Sequence, residues 1–399
     1  MIRSFNLDKT YQFLLISLAF LMPLTVFGGN LVIVIICVTW LVSGNYKFKY
    51  REIINSKLML ASIGFFALHI LGLLWTEDLE WGLHIVHKMW YFIGLFPILY
   101  TIVKKEYISI YISAFLLAIS ITEVCSYLVW FEIIEPFKNA TVENPTPFMS
   151  HISYNPILAF ATYLVLHEVF FNKKLTNFVY SLYVFFAISM TINMFITGGR
   201  AGHVIFFVML AILIFQVLDK QRIKSLITIF IVIPSIFFTA YQTSNLFELR
   251  VDQAVQEASN YSDKRVSSVG LRINFAINSW DVIKNNILIG IGTGDFPSEY
   301  FKINKINSPN LPTTTNPHNM YTLILMQLGL VGLFSMLSIF YYQIKLSFNS
   351  SNKFIRDVGI TLPIMFLVIM LSDSYLLGHY TTLMYVFFSS FLHKDFEKN

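Results

Sequence analysis

Apolar runs of bilayer-crossing length recur along almost the whole of this 399-residue chain. A hydrocarbon core about 30 Å thick calls for roughly 20 apolar residues in a helix, and backbone polar groups at that depth must bond within their own segment. Hydropathy reads as twelve spans, near 11–27, 29–43, 58–75, 84–103, 107–131, 155–171, 178–197, 204–218, 225–241, 320–345, 357–372 and 376–392. Composition points the same way. The chain is 56% hydrophobic with 39 Phe and only 13% charged residues, against roughly 25% charged in soluble domains, and its mean hydropathy is +0.63. The expected fold is an all-α polytopic membrane protein of about 12 transmembrane helices. It forms a single membrane domain over 1–399, with no linker and no fixed-period repeat.

Basic residues orient the spans. Eighteen of the 28 Lys and Arg residues fall on one set of connections, from Arg3 and Lys9 through Lys47, Lys49, Arg51 and Lys57 to Lys394 and Lys398. The short connections on the other face carry Lys138 and Arg200. Positively charged loops stay cytoplasmic, so both termini are expected inside. Met1–Lys9 with the run from Tyr11 reads as a first permanent span, not a cleaved signal. The net charge of +5 does not point to nucleic acid, because no basic patch alternates with an accessible aromatic face.

One long polar stretch interrupts the pattern. Residues 242–319 separate spans nine and ten, and a loop of that length crosses largely regardless of its charge. It is expected as one large extracytoplasmic loop. Within it, Leu271, Phe275, Trp280 and Ile283 recur at roughly helical spacing, which predicts an amphipathic helix against the bundle mouth. Gly290, Gly292 and Gly294 lack the βαβ context of a dinucleotide site and read as a tight turn.

Several residues on that face have chemistry to offer. Arg200 follows Gly198 and Gly199 at the outer end of span seven; glycine lets backbone approach a ligand, and guanidinium matches phosphate oxygens with forked donors. The alternative is an interfacial arginine snorkelling to headgroups. Arg272 lies on the expected amphipathic helix, where a solvated surface charge is the bland reading. His318, in Asn316-Pro317-His318-Asn319, carries an imidazole, a side chain suited to proton abstraction from a hydroxyl; by itself it would equally serve as a helix-start histidine facing water. Asn316 and Asn319 supply neutral hydrogen-bonding groups. Lys88 reaches a phosphate or snorkels outward from span four. Asp373, at the outer end of span eleven, is placed to orient His318 or an arginine. His84 and His87 lack a third ligand, so no zinc site is expected, and Asp78-Leu-Glu80 is the one carboxylate pair on an outer loop. Cys37 and Cys125 sit in apolar runs and read as packing residues.

Taken in order, Gly198-Gly199-Arg200-Ala201-Gly202, Leu271-Arg272, Gly290-Ile291-Gly292-Thr293-Gly294, Asn316-Pro317-His318-Asn319-Met320-Tyr321 and Gln327-Leu328-Gly329-Leu330-Val331-Gly332 resemble the O-antigen ligase and polymerase superfamily. The resemblance is closest over roughly 190 to 340 and looser from Thr76 to Lys88. It implies a C-type glycosyltransferase-like fold of about twelve helices in the bacterial inner membrane, with the large periplasmic loop between helices 9 and 10. It implies transfer of a glycan from undecaprenyl diphosphate to an acceptor sugar, with inversion and with no metal or other cofactor. His318, Arg272 and Arg200 would then be catalytic, with Lys88, Asn316, Asn319, Tyr321, Asp373 and Gly199 in contact with substrate.

The expected partners are the undecaprenyl-diphosphate-linked glycan donor, a lipid A–core or other glycan acceptor, and membrane lipids. Ligase chemistry in lipopolysaccharide biosynthesis is the first reading. The alternative is an O-antigen or exopolysaccharide polymerase joining carrier-linked repeats; a protein O-glycosyltransferase and an anionic-lipid transporter are further from the residues. A transporter of this size commonly shows two related halves, and none is apparent.

Overall fold

The computed structural model describes residues 7–259 and 266–396; Arg3 and Lys398, used above for orientation, lie outside them. The described residues form α-helices and no strand. In chain order they are α1 (Leu7–Leu21), α2 (Val26–Val42), α3 (Tyr46–Asn55), α4 (Lys57–Gly72), α5 (Leu79–Ile93), α6 (Leu95–Ile102), α7 (Ile108–Trp130), α8 (His151–Phe171) and α9 (Asn177–Phe195). There follow α10 (Arg200–Val217), α11 (Arg222–Thr243), α12 (Asn245–Ser259), α13 (Ser268–Ile283), α14 (Phe296–Asn307), α15 (Met320–Phe348), α16 (Lys353–Ile369) and α17 (His379–Leu392). The chain divides into two compact units, one of residues 1–11, 35–105 and 254–399, the other of 12–34 and 106–253.

Among the described residues, seven helical stretches are long and apolar enough to cross a membrane: Lys57–Trp75, Leu79–Ile102, Lys105–Trp130, Asn177–Phe195, Arg200–Val217, Arg222–Thr243 and Met320–Phe348. Joining α2 to α3, bent by 113°, would make eight. The other expected spans are helical too, but differ in kind. At 1.5 Å per residue the 14 residues of α17 and the 17 of α16 reach only about 21–26 Å. In α17 every residue from Thr381 to Leu392 is buried, and in α8 every residue from Tyr154 to Val165. A helix enclosed by its own unit has no lipid-facing stripe to satisfy, so hydropathy alone misjudges its length and composition. By contrast α11 leaves Ile223, Phe230, Ile231 and Phe238 exposed, an apolar surface of the kind a bilayer covers.

In the first unit the central event is a break in α15. Gly329 has φ 61° and ψ −157°, a region open essentially to glycine alone. The segment after α13 is spliced into the gap. Leu330 N donates to Ile287 O at 2.8 Å, Ile291 N to Met326 O at 2.9 Å and Gly292 N to Gln327 O at 3.0 Å. Gln327 Nε2 donates to Thr293 O at 2.6 Å. A Cβ at Gly290 or at Gly329 would stand 2.4 Å from the opposing backbone. The expected tight turn is therefore a plug for a broken helix. Its continuation is anchored by Thr293 Oγ1 donating to His69 O at 2.8 Å and by the Asp295 carboxylate accepting from the Glu77 and Asp78 amides at 2.8–3.0 Å.

The polar stretch 242–319 thus contains α12, α13 and α14. The expected amphipathic helix exists as α13, but its inward face differs from the apolar pattern. Phe275 and Ile283 are buried, whereas Trp280 is 55% exposed. Asn274, Asn278 and Ser279 are buried instead. Asn278 Nδ2 donates to Asn304 Oδ1 at 3.1 Å, and Ser308 Oγ donates to Asn274 Oδ1 at 2.8 Å. An asparagine network, not an apolar stripe, joins α13 to α14, because side-chain amides can satisfy one another out of water.

In the second unit α8 packs between α9 and α10. Gly202 permits the contact, since a Cβ there would meet Asn155 Cβ at 2.2 Å. The start of α12 docks through buried Phe247, whose ring lies 4.9 Å from Phe195 and 5.3 Å from Phe237. Ser244 Oγ donates to Phe195 O at 2.7 Å and secures the entry.

Candidate active site

Pro317 fixes its own φ and pushes Asn316 toward extended backbone, and the chain then turns sharply into α15. His318 takes φ 52°, a left-handed conformation uncommon for a side-chain-bearing residue, for which the surrounding bonds must compensate. Those bonds run through Asn316. Its Oδ1 accepts from the His318 amide at 3.0 Å and from Ser374 Oγ at 2.8 Å, while its Nδ2 donates to Asp373 Oδ1 at 2.9 Å. Asn319 Oδ1 then caps α15 by accepting from Thr322 N at 3.0 Å.

This lattice delivers His318 Nδ1 to 3.2 Å from Asp373 Oδ2. The His318 side chain is 37% exposed and that of Asp373 17%. Burial pushes the Asp373 carboxyl up. The hydrogen bond and charge of His318, with the Ser374 amide and Asn316 amide, outweigh it and hold the group below its usual range. An ionised carboxylate only accepts, so the proton of the neutral imidazole is kept on Nδ1. The Nε2 lone pair is left for a proton from elsewhere. Phe275 flanks the ring, its centroid 6.1 Å away and its plane inclined by 25°.

Phe275 also places Arg272. The two are three apart on α13 and therefore share a face of the helix. Arg272 is half-buried, and its charge is felt at Tyr375, two positions beyond Asp373. Its Nη1 donates to Ser268 Oγ one turn back at 3.4 Å, a neutral partner at the long limit. The first unit thus assembles an oriented imidazole, a carboxylate and a guanidinium from α13, the turn before α15 and the turn after α16.

Arg200 belongs to the second unit, at the start of α10. Its Nη2 donates to Gln253 Oε1 at 3.2 Å, and Arg250 Nη1 donates to the same oxygen at 3.3 Å. The Gly198 amide donates to Asn144 Oδ1 at 3.0 Å. Arg250 and Gln253 had no sequence signal beyond lying on a polar helix.

Other expected site residues are used by the fold. Gly199 faces α8, where a Cβ would meet His151 O at 2.8 Å, so the missing side chain serves helix packing there. Besides capping α15, Asn319 donates through Nδ2 to Leu371 O at 3.1 Å. Tyr321 Oη donates to Leu367 O at 2.5 Å. Both side chains tie α15 to α16 and its following turn. Lys88, half-buried on α5, has no hydrogen bond or ion pair with the His318 group.

The stretch from the middle of α9 to the middle of α15 carries these features in one order: the glycine turn with Arg200, then Arg272, the plug at Gly290–Gly294, His318 and the break at Gly329. Residues 185–337 match the O-antigen ligase family. The match supports the O-antigen ligase family for this chain and includes Arg200, Arg272 and His318. Lys88 and Asp373 lie beyond its ends. O-antigen ligase-type proteins are glycosyltransferase-like, of ligase or polymerase type, and the apolar helices described above are those of a membrane protein. No curated protein matches the chain.

Proposed function

We propose that this protein is an O-antigen ligase-type glycosyltransferase, moving a glycan from undecaprenyl diphosphate to a lipid A–core sugar on the periplasmic face. The observation that carries the reading is the His318–Asp373 pair beside the Arg272 face of α13. In this reading all twelve apolar segments serve as spans, the enclosed α8 and α17 and the short α16 among them. Both termini are cytoplasmic, 242–319 is periplasmic, and the protein lies in the inner membrane.

The reaction needs a hydroxyl made nucleophilic and a diphosphate made a good leaving group. His318 Nε2 takes the proton of the acceptor hydroxyl as its oxygen attacks the anomeric carbon. The carbon–oxygen bond to the diphosphate breaks, its electron pair leaves with undecaprenyl diphosphate, and the configuration inverts. Asp373 stabilises the imidazolium that forms, and Asn316 holds both. A positioned base of this kind contributes about 10²–10⁴-fold. Negative charge grows on the diphosphate, and Arg272 is assigned to it, with Lys88 as a further phosphate contact. Preorganised donors aimed at developing charge are each worth about 10²–10³-fold in comparable sites.

The test is the glycan profile of cells lacking the gene, with the outer-membrane lipid resolved from the polyprenyl-linked pool. Long chains stranded on the carrier beside bare lipid A–core support the ligase. Single repeats on the core transfer the assignment to a polymerase, and an unchanged profile removes both.

A further inference from the structure

In the second unit α9 carries a line of polar side chains. Ser189 and Asn193 on the helix and Thr197 just past its end recur every four residues, and each bonds to a neighbouring helix. Ser189 Oγ donates to Glu123 Oε1 of α7. Asn193 Nδ2 donates to Ser126 Oγ of α7 at 3.0 Å, and Asn193 Oδ1 accepts from Tyr154 Oη of α8 at 2.8 Å. Thr197 Oγ1 donates to Asn155 Oδ1 of α8 at 3.0 Å. This ladder starts at Glu123 and ends beside Gly198.

Glu123 is the charged member, and it is 1% exposed. Among the described residues it forms no ion pair, and its hydrogen bond comes from Ser189. Its Oε2 is enclosed with no hydrogen-bond partner. The residue lies seven positions before the end of α7, about 10 Å along the axis. Both α7 and α9 are long and apolar enough to cross a membrane. An enclosed carboxylate at such depth is costly unless something cancels its charge.

Hydrogen-bond accounting shows what would complete the cluster. Thr122 Oγ1 donates to Ile119 O at 2.7 Å and Tyr127 Oη donates to Ser189 O at 2.7 Å, while Tyr154 is committed to Asn193. Tyr127 of α7 and Tyr154 of α8 are the titratable groups that feel the Glu123 charge, and the side chains α9 brings to the ladder are neutral. These hydroxyls have used their hydrogens and keep lone pairs. The cluster therefore holds a carboxylate and spare oxygen acceptors, which call for positive charge.

We propose that Glu123 is the anionic centre of an intramembrane binding site for a small monovalent cation, the proton or Na⁺. Occupancy cancels the charge at the foot of the ladder that ends beside Gly198. The proposal does not depend on the transferase reading.

The test uses the full-length protein in nanodiscs of phosphatidylcholine, with dicyclohexylcarbodiimide as probe, an apolar reagent that labels a carboxyl in its protonated form. The carboxyl proton passes to one nitrogen, the carboxyl oxygen bonds to the central carbon, and the acyl group then shifts to nitrogen. The stable adduct is read by mass spectrometry on the peptide carrying Glu123. Labelling is expected, and it should fall about tenfold on raising the pH or on adding Na⁺. A fall with pH and no effect of Na⁺ in place of choline assigns the proton; protection by Na⁺ at fixed pH assigns Na⁺. A Glu123 that stays unlabelled, or labels equally under every condition, overturns the site and leaves a structural carboxyl. Glu123→Gln, neutral and of the same size, gives the second readout. Wild-type melting should shift with the assigned cation and that of Glu123→Gln should not; a wild type that shifts no more than the variant overturns the site. The labelling uses the wild-type chain and decides the matter if Glu123→Gln does not fold.

Discussion

His318 Nδ1 and Asp373 Oδ2 meet at 3.2 Å across 55 positions of sequence, with Asn316 bonded to the same carboxylate at 2.9 Å. The pairing turns a half-exposed histidine into an imidazole of fixed tautomer and direction. Its consequence for catalysis is separable from its consequence for folding.

Replacing Asp373 by Asn keeps the size of the side chain and removes the charge. A hydrogen bond to a charged group is worth about 1.5–3 kcal/mol, so kcat should fall about 10- to 100-fold with a smaller change in KM for the donor. Steady-state transfer with a short prenyl-diphosphate-linked glycan would check it. An equal loss confined to KM would assign Asp373 to substrate binding.

The same carboxylate sets a pH dependence. Its folded-state pKa is lowered, against about 3.9 for an unperturbed Asp. The stability it contributes is therefore present above the unfolded value and is lost as pH falls through the folded one. Wild type should melt above Asp373→Asn at neutral pH, and the gap should close only in the acid range below about pH 4. A gap that closes between pH 6 and 7 would place the linkage on another group.

Gly329 should tolerate no side chain. Its φ and ψ of 61° and −157° and a Cβ position 2.4 Å from Leu288 backbone combine conformational strain of about 1–3 kcal/mol with a steric clash. Gly329→Ala should lose most of the monodisperse protein recovered by size exclusion in detergent. Wild-type recovery would mean that α15 runs unbroken.

The asparagine network between α13 and α14 should behave as a core. Asn278→Ala deprives Asn304 of a donor at 3.1 Å and Asn307 of an acceptor at 3.3 Å, a loss of about 1–3 kcal/mol. Limited proteolysis should cut this variant within 296–311 faster than wild type.

The helices long and apolar enough to cross a membrane were legible as apolar runs because lipid imposes one length and one polarity on any helix it touches. The rule loosens for α17 and α8, whose surroundings are protein, and for α15, whose break at Gly329 lies inside an unbroken apolar run. Arg272 and His318 could be singled out by residue type and order. Arg250 could not, since its interest comes from sharing Gln253 Oε1 with Arg200, a relation of side chains and not of spacing. Trp280 misled for a physical reason: apolar periodicity assumes an apolar interface, and α13 buries asparagines.

The most direct test of the account is His318→Ala, assayed for glycan transfer and, separately, for binding of the prenyl-diphosphate donor. With His318 as the base, turnover falls by about 10²–10⁴-fold while donor affinity stays within a few-fold of wild type. Retained turnover would remove His318 from the chemistry, and loss of donor binding would make it a phosphate contact instead.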